Sequence, residues 1–380
     1  VKYPGFLLIL FLAVKSFSQP ALQHYGGMQL HEGAQVGLFT SFINQAPFEQ
    51  EAGRVGFYGA DLIRVSGDFA PVFYDVEIFH DLFVDVQAPF SVANTLDFFE
   101  GDFVTDKSLP EIYVGLLQEA TLNGPGNASK VNGYALAINQ SRVVFPVGDA
   151  SEYRPLTLEG ETFPVAKCAY FREDPNNPSA FPPFRTDLLP RTLSAISTAE
   201  FWRLEGGNTG QVTLTWNPNS NLGALAETVS GIVLVGWSKA AGRWVPLGTR
   251  SVAGDLQNGF ALSEPIVPDA FEVLTFGSLA EPEELLSLDN FFLSPNGDGI
   301  NDVLVIEALA DSPNNLLQIF DRRGLKVFER RNYTNEFNGV ANVDGLVVNR
   351  EAGLPEGVYF YLVQLLDLGL EYQGFLYLDR

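Results

Sequence analysis

The run FFLSPNGDGINDVLVI at residues 291–306 sets five turn formers, Pro295, Asn296, Gly297, Asp298 and Gly299, between two apolar segments. Asn, Asp and Gly tolerate left-handed backbone and Pro fixes its own φ, so the chain must reverse or kink here before Val303 and Val305 begin a strand. Further on, LLQIFDRRGLKVFE at 316–329 alternates Leu317, Ile319 and Asp321 with Gln318 and Phe320, pauses at Arg323-Gly324 and resumes at Val327-Phe328, which is a hairpin pattern. In LPEGVYFYLVQLLD at 354–367, Pro355-Glu356-Gly357 makes a tight turn into an aromatic and aliphatic run suited to a strand buried on at least one face. One more strand, within YQGFLYLDR at 372–380, follows.

Together these pieces resemble the type B sorting domain of the type IX secretion system, also called the gliding motility-associated C-terminal domain, of surface proteins in gliding Gram-negative bacteria. The matching residues are SPNGDGIND at 294–302, IFDRRG at 319–324, the segment 333–339, LPEGVYFY at 354–361 and GFLYLDR at 374–380. Three features depart from the family: Arg323 stands where an aromatic residue is usual, Phe337-Asn338-Gly339 replaces Trp-Asp-Gly, and residues 341–352 read as a longer loop. The resemblance covers residues 290–380 and implies a small immunoglobulin-like β-sandwich there. It further implies passage through the periplasm, transfer across the outer membrane, and a place on the cell surface or outside the cell. The implied partners are the type IX translocon and outer-membrane anchoring proteins.

At the other end, Lys2 precedes an uncharged apolar run at 6–14, followed by Ser16-Phe17-Ser18 and Gln19-Pro20. A basic start, a short apolar stretch and small residues before the cut predict a signal peptide at 1–18, with a buried N-terminal strand as the alternative. The run is too short to span a bilayer, and no later stretch reaches that length.

Phe 31, Gly 36 and Pro 23 against Met 1 describe a β-rich chain with many turns, and no segment keeps a capped helical period. We therefore expect an all-β fold. Residues 19–150 consist of short apolar pieces separated by Gly, Asn and Asp, which suggests a β-solenoid-like region or a sandwich; a solenoid would be expected to show a strict repeat length, and none emerges. In this region Phe73, Asp75, Glu77 and Phe79 are expected to share one strand face, opposite Tyr74, Val76 and Ile78. Residues 151–279 read as an antiparallel β-sandwich: Val212, Leu214 and Trp216 alternate with Thr213 and Thr215, and a turn at Ala241-Gly242 brings Trp237 near Trp244. An acidic linker is expected at 280–289.

The formal charge is −23, or −25 once Lys2 and Lys15 leave with the signal peptide, and such a surface repels nucleic acid and anionic headgroups. Cys168 is alone, so no intrachain disulfide forms; in VAKCAYF it shares a strand face with Ala166 and Tyr170 and reads as a buried thiol. His24, His31 and His80 lack metal-ligand spacing, there is no nucleophile elbow or phosphate loop, and Asp81 and Asp85 have no context that selects them from 46 acidic residues. We therefore expect no enzymatic activity and no cofactor other than candidate calcium. Asn296, Asp298, Asn301 and Asp302 crowd hard oxygen donors as calcium prefers, and an Asx-bonded turn accounts for the same residues. Arg322, Arg323, Lys326, Arg330 and Arg331 gather on one hairpin, either as a solvated face or as a surface for docking an acidic partner. The expected role is that of an adhesin or a structural part of a surface assembly linked to gliding motility. The alternatives are a secreted polysaccharide or protein hydrolase, and a glycan-binding module.

Overall fold

A computed structural model of the chain describes residues 21–280 apart from 51 and 119, and residues 291–380 apart from 308, 310, 311, 344–352 and 367–369. The expected leader at 1–18 and all but residue 280 of the expected linker lie outside the described residues.

The N-terminal half is a β-solenoid with three strand-lined faces, all paired in parallel. One face stacks Ala21–His24 on Ser41–Asn44 and Ile63–Gly67, then the ends of Val72–Val86 and Phe90–Thr105, then Val131–Asn132. A second stacks Gln35–Leu38 on Arg54–Gly59, the middles of the same two long strands, and Thr121–Asn123. The third joins the starts of the long strands to Tyr113–Leu116 and Tyr134–Phe145. Paired residues on successive rungs are 19 apart for Gln35 and Arg54 but 28 apart for Phe103 and Val131. Turns between faces absorb this variation while the strands keep register, so the repeat exists in space and not in residue count.

The interior is held by phenylalanines. Phe42, Phe48, Phe73, Phe57, Phe90 and Phe103 contact one another mostly edge to face, with ring centroids 5.2 to 6.3 Å apart along the stack. Such pairs add to the burial of their large apolar surfaces. The strand Val72–Val86 departs from simple alternation here. Phe73 turns inward with Val76 and Ile78 while Asp75, Glu77 and Phe79 face out, and the pairing with Phe90–Thr105 shifts register at the same place. The expected shared face thus holds for three of its four residues; Tyr74 and Asp75 are both half-buried where the strand passes from one face to the next, and the alternation changes phase there.

Tyr134–Phe145 ends the solenoid and begins the antiparallel region, because its other edge pairs with Leu156–Phe171. That strand pairs in turn with Phe201–Gly206 along one half and Gly210–Trp216 along the other. Ala166, Cys168 and Tyr170 enter a core continuous with the solenoid interior, whereas Ala169 and Phe171 enter a second cluster with Phe184, Phe201 and Trp244. Trp237 pairs with Trp244 across the hairpin, ring centroids 5.7 Å apart. A buried ion pair locks this region: Arg154 donates to Glu200 at 2.6 Å and to Ser220 Oγ at 2.8 Å, and the Tyr170 hydroxyl donates to Glu200 at 2.8 Å.

The terminal region has its own core and a five-stranded sheet in the order Phe291–Leu293, Leu370–Leu378, Gly357–Leu365, Asn315–Phe320, Lys326–Arg331. The first pair is parallel and the others antiparallel. Where the immunoglobulin-like expectation calls for a second sheet, the described residues supply irregular chain: Leu304, Ile306, Leu309, Tyr333, Phe337, Ala341 and Leu354 cover the inner face. Asn332, Asn335 and Gly339 there have φ of 52°, 69° and 79°, which interrupts any ladder.

Replacing Phe57, which contacts Phe73, Phe90 and Phe103, with Ala should cost about 3–5 kcal/mol. Phe79→Ala, on an outward ring, should change stability by less than about 0.5 kcal/mol. Urea unfolding followed by circular dichroism measures both, and equal losses would contradict the inward and outward assignments.

Candidate functional site

The three histidines lie apart. His24 is buried with Nδ1 2.7 Å from Asn44 Oδ1, His80 is buried with Nε2 3.0 Å from the Asp61 carbonyl, and His31 is exposed. Asp85 pairs with Arg64 at 3.5 Å, and Asp81 is exposed at the preceding corner. Among the described residues no group of three or more His, Cys, Asp or Glu is placed to hold a metal. Burial pushes the Cys168 thiol well above its ordinary value, which disfavours the reactive thiolate.

In the terminal region, Asn296, Asp298, Asn301 and Asp302 come together in one loop, and three of their side chains turn back on the backbone. Asp302 accepts from the Gly297 N–H at 2.7 Å and the Gly299 N–H at 2.8 Å through its two oxygens. Asp298 accepts from the Ile300 N–H at 2.8 Å, and Asn296 Oδ1 from the Asp298 N–H at 2.9 Å. Asn301 supplies left-handed backbone with φ 57°. The two N–H donors hold the Asp302 carboxyl below the usual carboxylate range. These are nested Asx turns, and a calcium ion would compete with backbone donors for the same oxygens.

The basic hairpin divides. Lys326 pairs with Glu329, and Arg330 with Glu336 at 3.2 Å. Arg322, Arg323 and Arg331 have no carboxylate partner among the described residues. Arg322 and Arg323 sit at the hairpin tip, whose turn is tied by Asp321 accepting from the Arg323 and Leu325 N–H groups. They border a groove of about 480 Å³ with Pro355, Glu356 and Tyr359, so two motifs far apart in sequence form one surface feature.

Two exposed aromatic surfaces were missed by reading motifs alone. On the outer face of the terminal sheet, Phe360 pairs with Phe375, Val358 with Tyr377, and Phe292 stacks on Tyr377 with ring centroids 6.1 Å apart; all five side chains are exposed. Alternation in VYFYLVQL signals this, since Val358 and Phe360 occupy the positions opposite the buried Tyr359 and Tyr361.

The second lies on the solenoid face built from Arg54–Gly59 and its neighbours. Tyr58 pairs directly with Phe79 on the next rung, Phe39 contacts Tyr58 with centroids 5.4 Å apart, and Phe99 bulges outward beyond them. Tyr58 lies flat on the sheet because Gly56 leaves room; a Cβ there would meet the Tyr58 ring at 2.2 Å. Beside this column runs a polar ladder. Arg54 donates to Glu77 at 2.8 Å and lies 3.4 Å from Asp97, Asn94 donates to Asp75 at 2.7 Å, and Asn123 to Asp97 at 2.7 Å. The Tyr58 hydroxyl donates to Glu77; burial and this bond push its pKa up to about 12, so it stays a neutral donor. Arg54 is partly exposed while Glu77 and Asp97 are largely covered, so these pairs hold the ladder's side chains in fixed positions.

Residues 286–378 match the family described as the CHU_C type IX secretion signal domain. No curated protein and no solved structure matches the chain. The terminal region is thus a type IX secretion signal, and the chain is exported by that system to the cell surface or the extracellular space.

For the 294–302 loop, Asp302→Ala should lower the melting temperature of the full chain by the same amount with and without a calcium chelator, and the chelator alone should change nothing. A chelator effect in the wild type that vanishes in the variant would identify a calcium site instead.

Proposed function

We propose that residues 21–280 form a non-enzymatic adhesin displayed outside the cell, with the signal domain serving as its address. The observation that carries this reading is the column of outward aromatic side chains on one solenoid face, held beside an ordered polar ladder. Contiguous exposed apolar surface on a soluble, highly charged chain marks a place of association. The neighbouring carboxylates Glu77 and Asp97 are both tied to Arg54, which supports a binding surface over a hydrolytic pair needing one raised and one free carboxyl.

We propose also that the signal domain meets its machinery through the outer sheet face of Phe292, Val358, Phe360, Phe375 and Tyr377. Arg322 and Arg323 at the hairpin tip would steer an acidic partner, since opposite charge speeds encounter more than it tightens binding.

Removing residues 286–380 should leave a folded passenger in the periplasm. Phe360→Ser with Phe375→Ser should keep the terminal domain folded by circular dichroism yet slow surface delivery measured by protease accessibility. Normal surface levels of the deletion variant would contradict the address, and normal kinetics of the folded double variant would contradict the docking face.

A further inference from the structure

We infer that the outward solenoid face carrying Phe39, Tyr58, Phe79 and Phe99 binds an extended, uncharged polysaccharide, whose sugar rings stack on the aromatic column while its hydroxyls meet the adjoining polar ladder. This rests on the adhesin reading above and names its ligand class.

Three observations point to this occupant. The first is repetition. The aromatic side chains fall on successive rungs, with Phe79 directly across from Tyr58 and Phe39 against its other side. Rungs of a parallel sheet are about 4.8 Å apart, a spacing of the same order as one pyranose unit. A translationally repeating surface suits a repeating polymer.

The second is the pairing of flat apolar and polar strips. Phe39, Phe79 and Phe99 are 68 %, 53 % and 58 % exposed. Tyr58 lies down over Gly56, and its ring together with that of Phe39 covers Gly37, so the column forms a flat strip that meets the polar ladder directly at the Tyr58–Glu77 bond. Along its edge stand Arg54, Asp75, Glu77 and Asp97, each already oriented by a hydrogen bond or ion pair. A sugar ring has an apolar C–H face and a rim of hydroxyls, each both donor and acceptor. Pre-ordered polar groups can meet such hydroxyls without losing further side-chain entropy on binding. At the edge of the ladder a groove of about 490 Å³, bordered by Glu32, Gln35, Arg54, Tyr74 and Asp75, offers space for a side branch or chain end.

The third is charge. The face carries Asp75, Glu77 and Glu100, with Asp97 largely covered beneath, against Arg54, and the whole chain carries −23. Anionic polymers and anionic membranes are therefore repelled. Glu77 and Asp97 are already paired with Arg54, and Asp75 and Asp97 accept from Asn94 and Asn123, so the ladder offers hydroxyl contacts more than free charge and favours a neutral chain that stacks on the column.

The test is native affinity electrophoresis of the full chain through gels containing hydroxyethyl cellulose, a galactomannan or alginate. At least one neutral polymer should retard the protein, and alginate should not. Phe79→Ala with Phe99→Ala should raise the apparent Kd about tenfold or more, as for aromatic anchors at other interfaces, while Phe79→Trp should retain binding. Unchanged melting temperatures establish that the variants fold. Retardation by neither neutral polymer, retardation by alginate alone, or retardation indifferent to the double variant overturns the inference. So does sedimentation showing a self-associated wild type and a monomeric double variant, which would make a second copy of this chain the occupant. Attachment of expressing cells to glass is measured with the same variants. If attachment falls while no polysaccharide binds, the adhesin reading stands and the ligand class fails; if neither responds, both fail.

Discussion

The stack of inward phenylalanines constrains everything else in the passenger. Phe42, Phe57 and Phe73 come from different rungs, Phe90 and Phe103 from the two ends of one strand, and all five meet along one axis. Because side chains alternate along a strand, fixing which residues point in also fixes which point out. Val55 and Phe57 inside oblige Arg54, Gly56 and Tyr58 outside; Val76 and Ile78 inside oblige Asp75, Glu77 and Phe79 outside. The exposed aromatic column and its polar ladder are consequences of that interior, not separate devices.

The open end of the solenoid poses a second problem, because a parallel coil ends in unpaired backbone and exposed core. Here the last coil strand, Tyr134–Phe145, is continued by Leu156–Phe171 and the antiparallel sheet beyond it, and the hydrophobic core runs through without a break. The sandwich-like region thus caps the solenoid. Arg154 and Glu200, buried in that region, bond to each other and to Ser220 and Tyr170 respectively, while Arg154 Nε is left without a partner among the described residues; the arrangement is suited to specifying one packing more than to adding stability. The secretion signal keeps a separate core, so address and cargo are built around different hydrophobic centres.

Much of this was legible in the residues, and unevenly. The signal domain could be read because its turns need particular residue types: Asn301 and Gly324 occupy left-handed backbone at φ 57° and 77°. Val212, Leu214 and Trp216 were readable because a half-buried strand shows its period directly. The solenoid was harder. Its repeat is hidden by turns of unequal length, and two of its strands, Val72–Val86 and Phe90–Thr105, round corners and change register on the way, so no single period spans them. The aromatic column was legible only at Phe79, which alternation sets opposite Val76 and Ile78. Phe79 and Phe73 look alike in sequence, and the residues between them give no sign of the phase change at Tyr74 and Asp75 that leaves one inside and the other out.

Stacked rungs are the central claim, and spin-label distances address it most directly. Cys168 is buried and its thiol held protonated, so introduced cysteines can be labelled selectively. Gln35, Arg54, Asp75, Thr95 and Thr121 pair in succession along one face. Nitroxides at Gln35→Cys combined in turn with Asp75→Cys, Thr95→Cys and Thr121→Cys should give separations that lengthen by about 5 Å per rung, spanning about 19 Å of backbone between the outermost pair. Distances that do not increase in that order, or a 35–121 pair no farther apart than the 35–75 pair, would contradict the solenoid and the surface built on it.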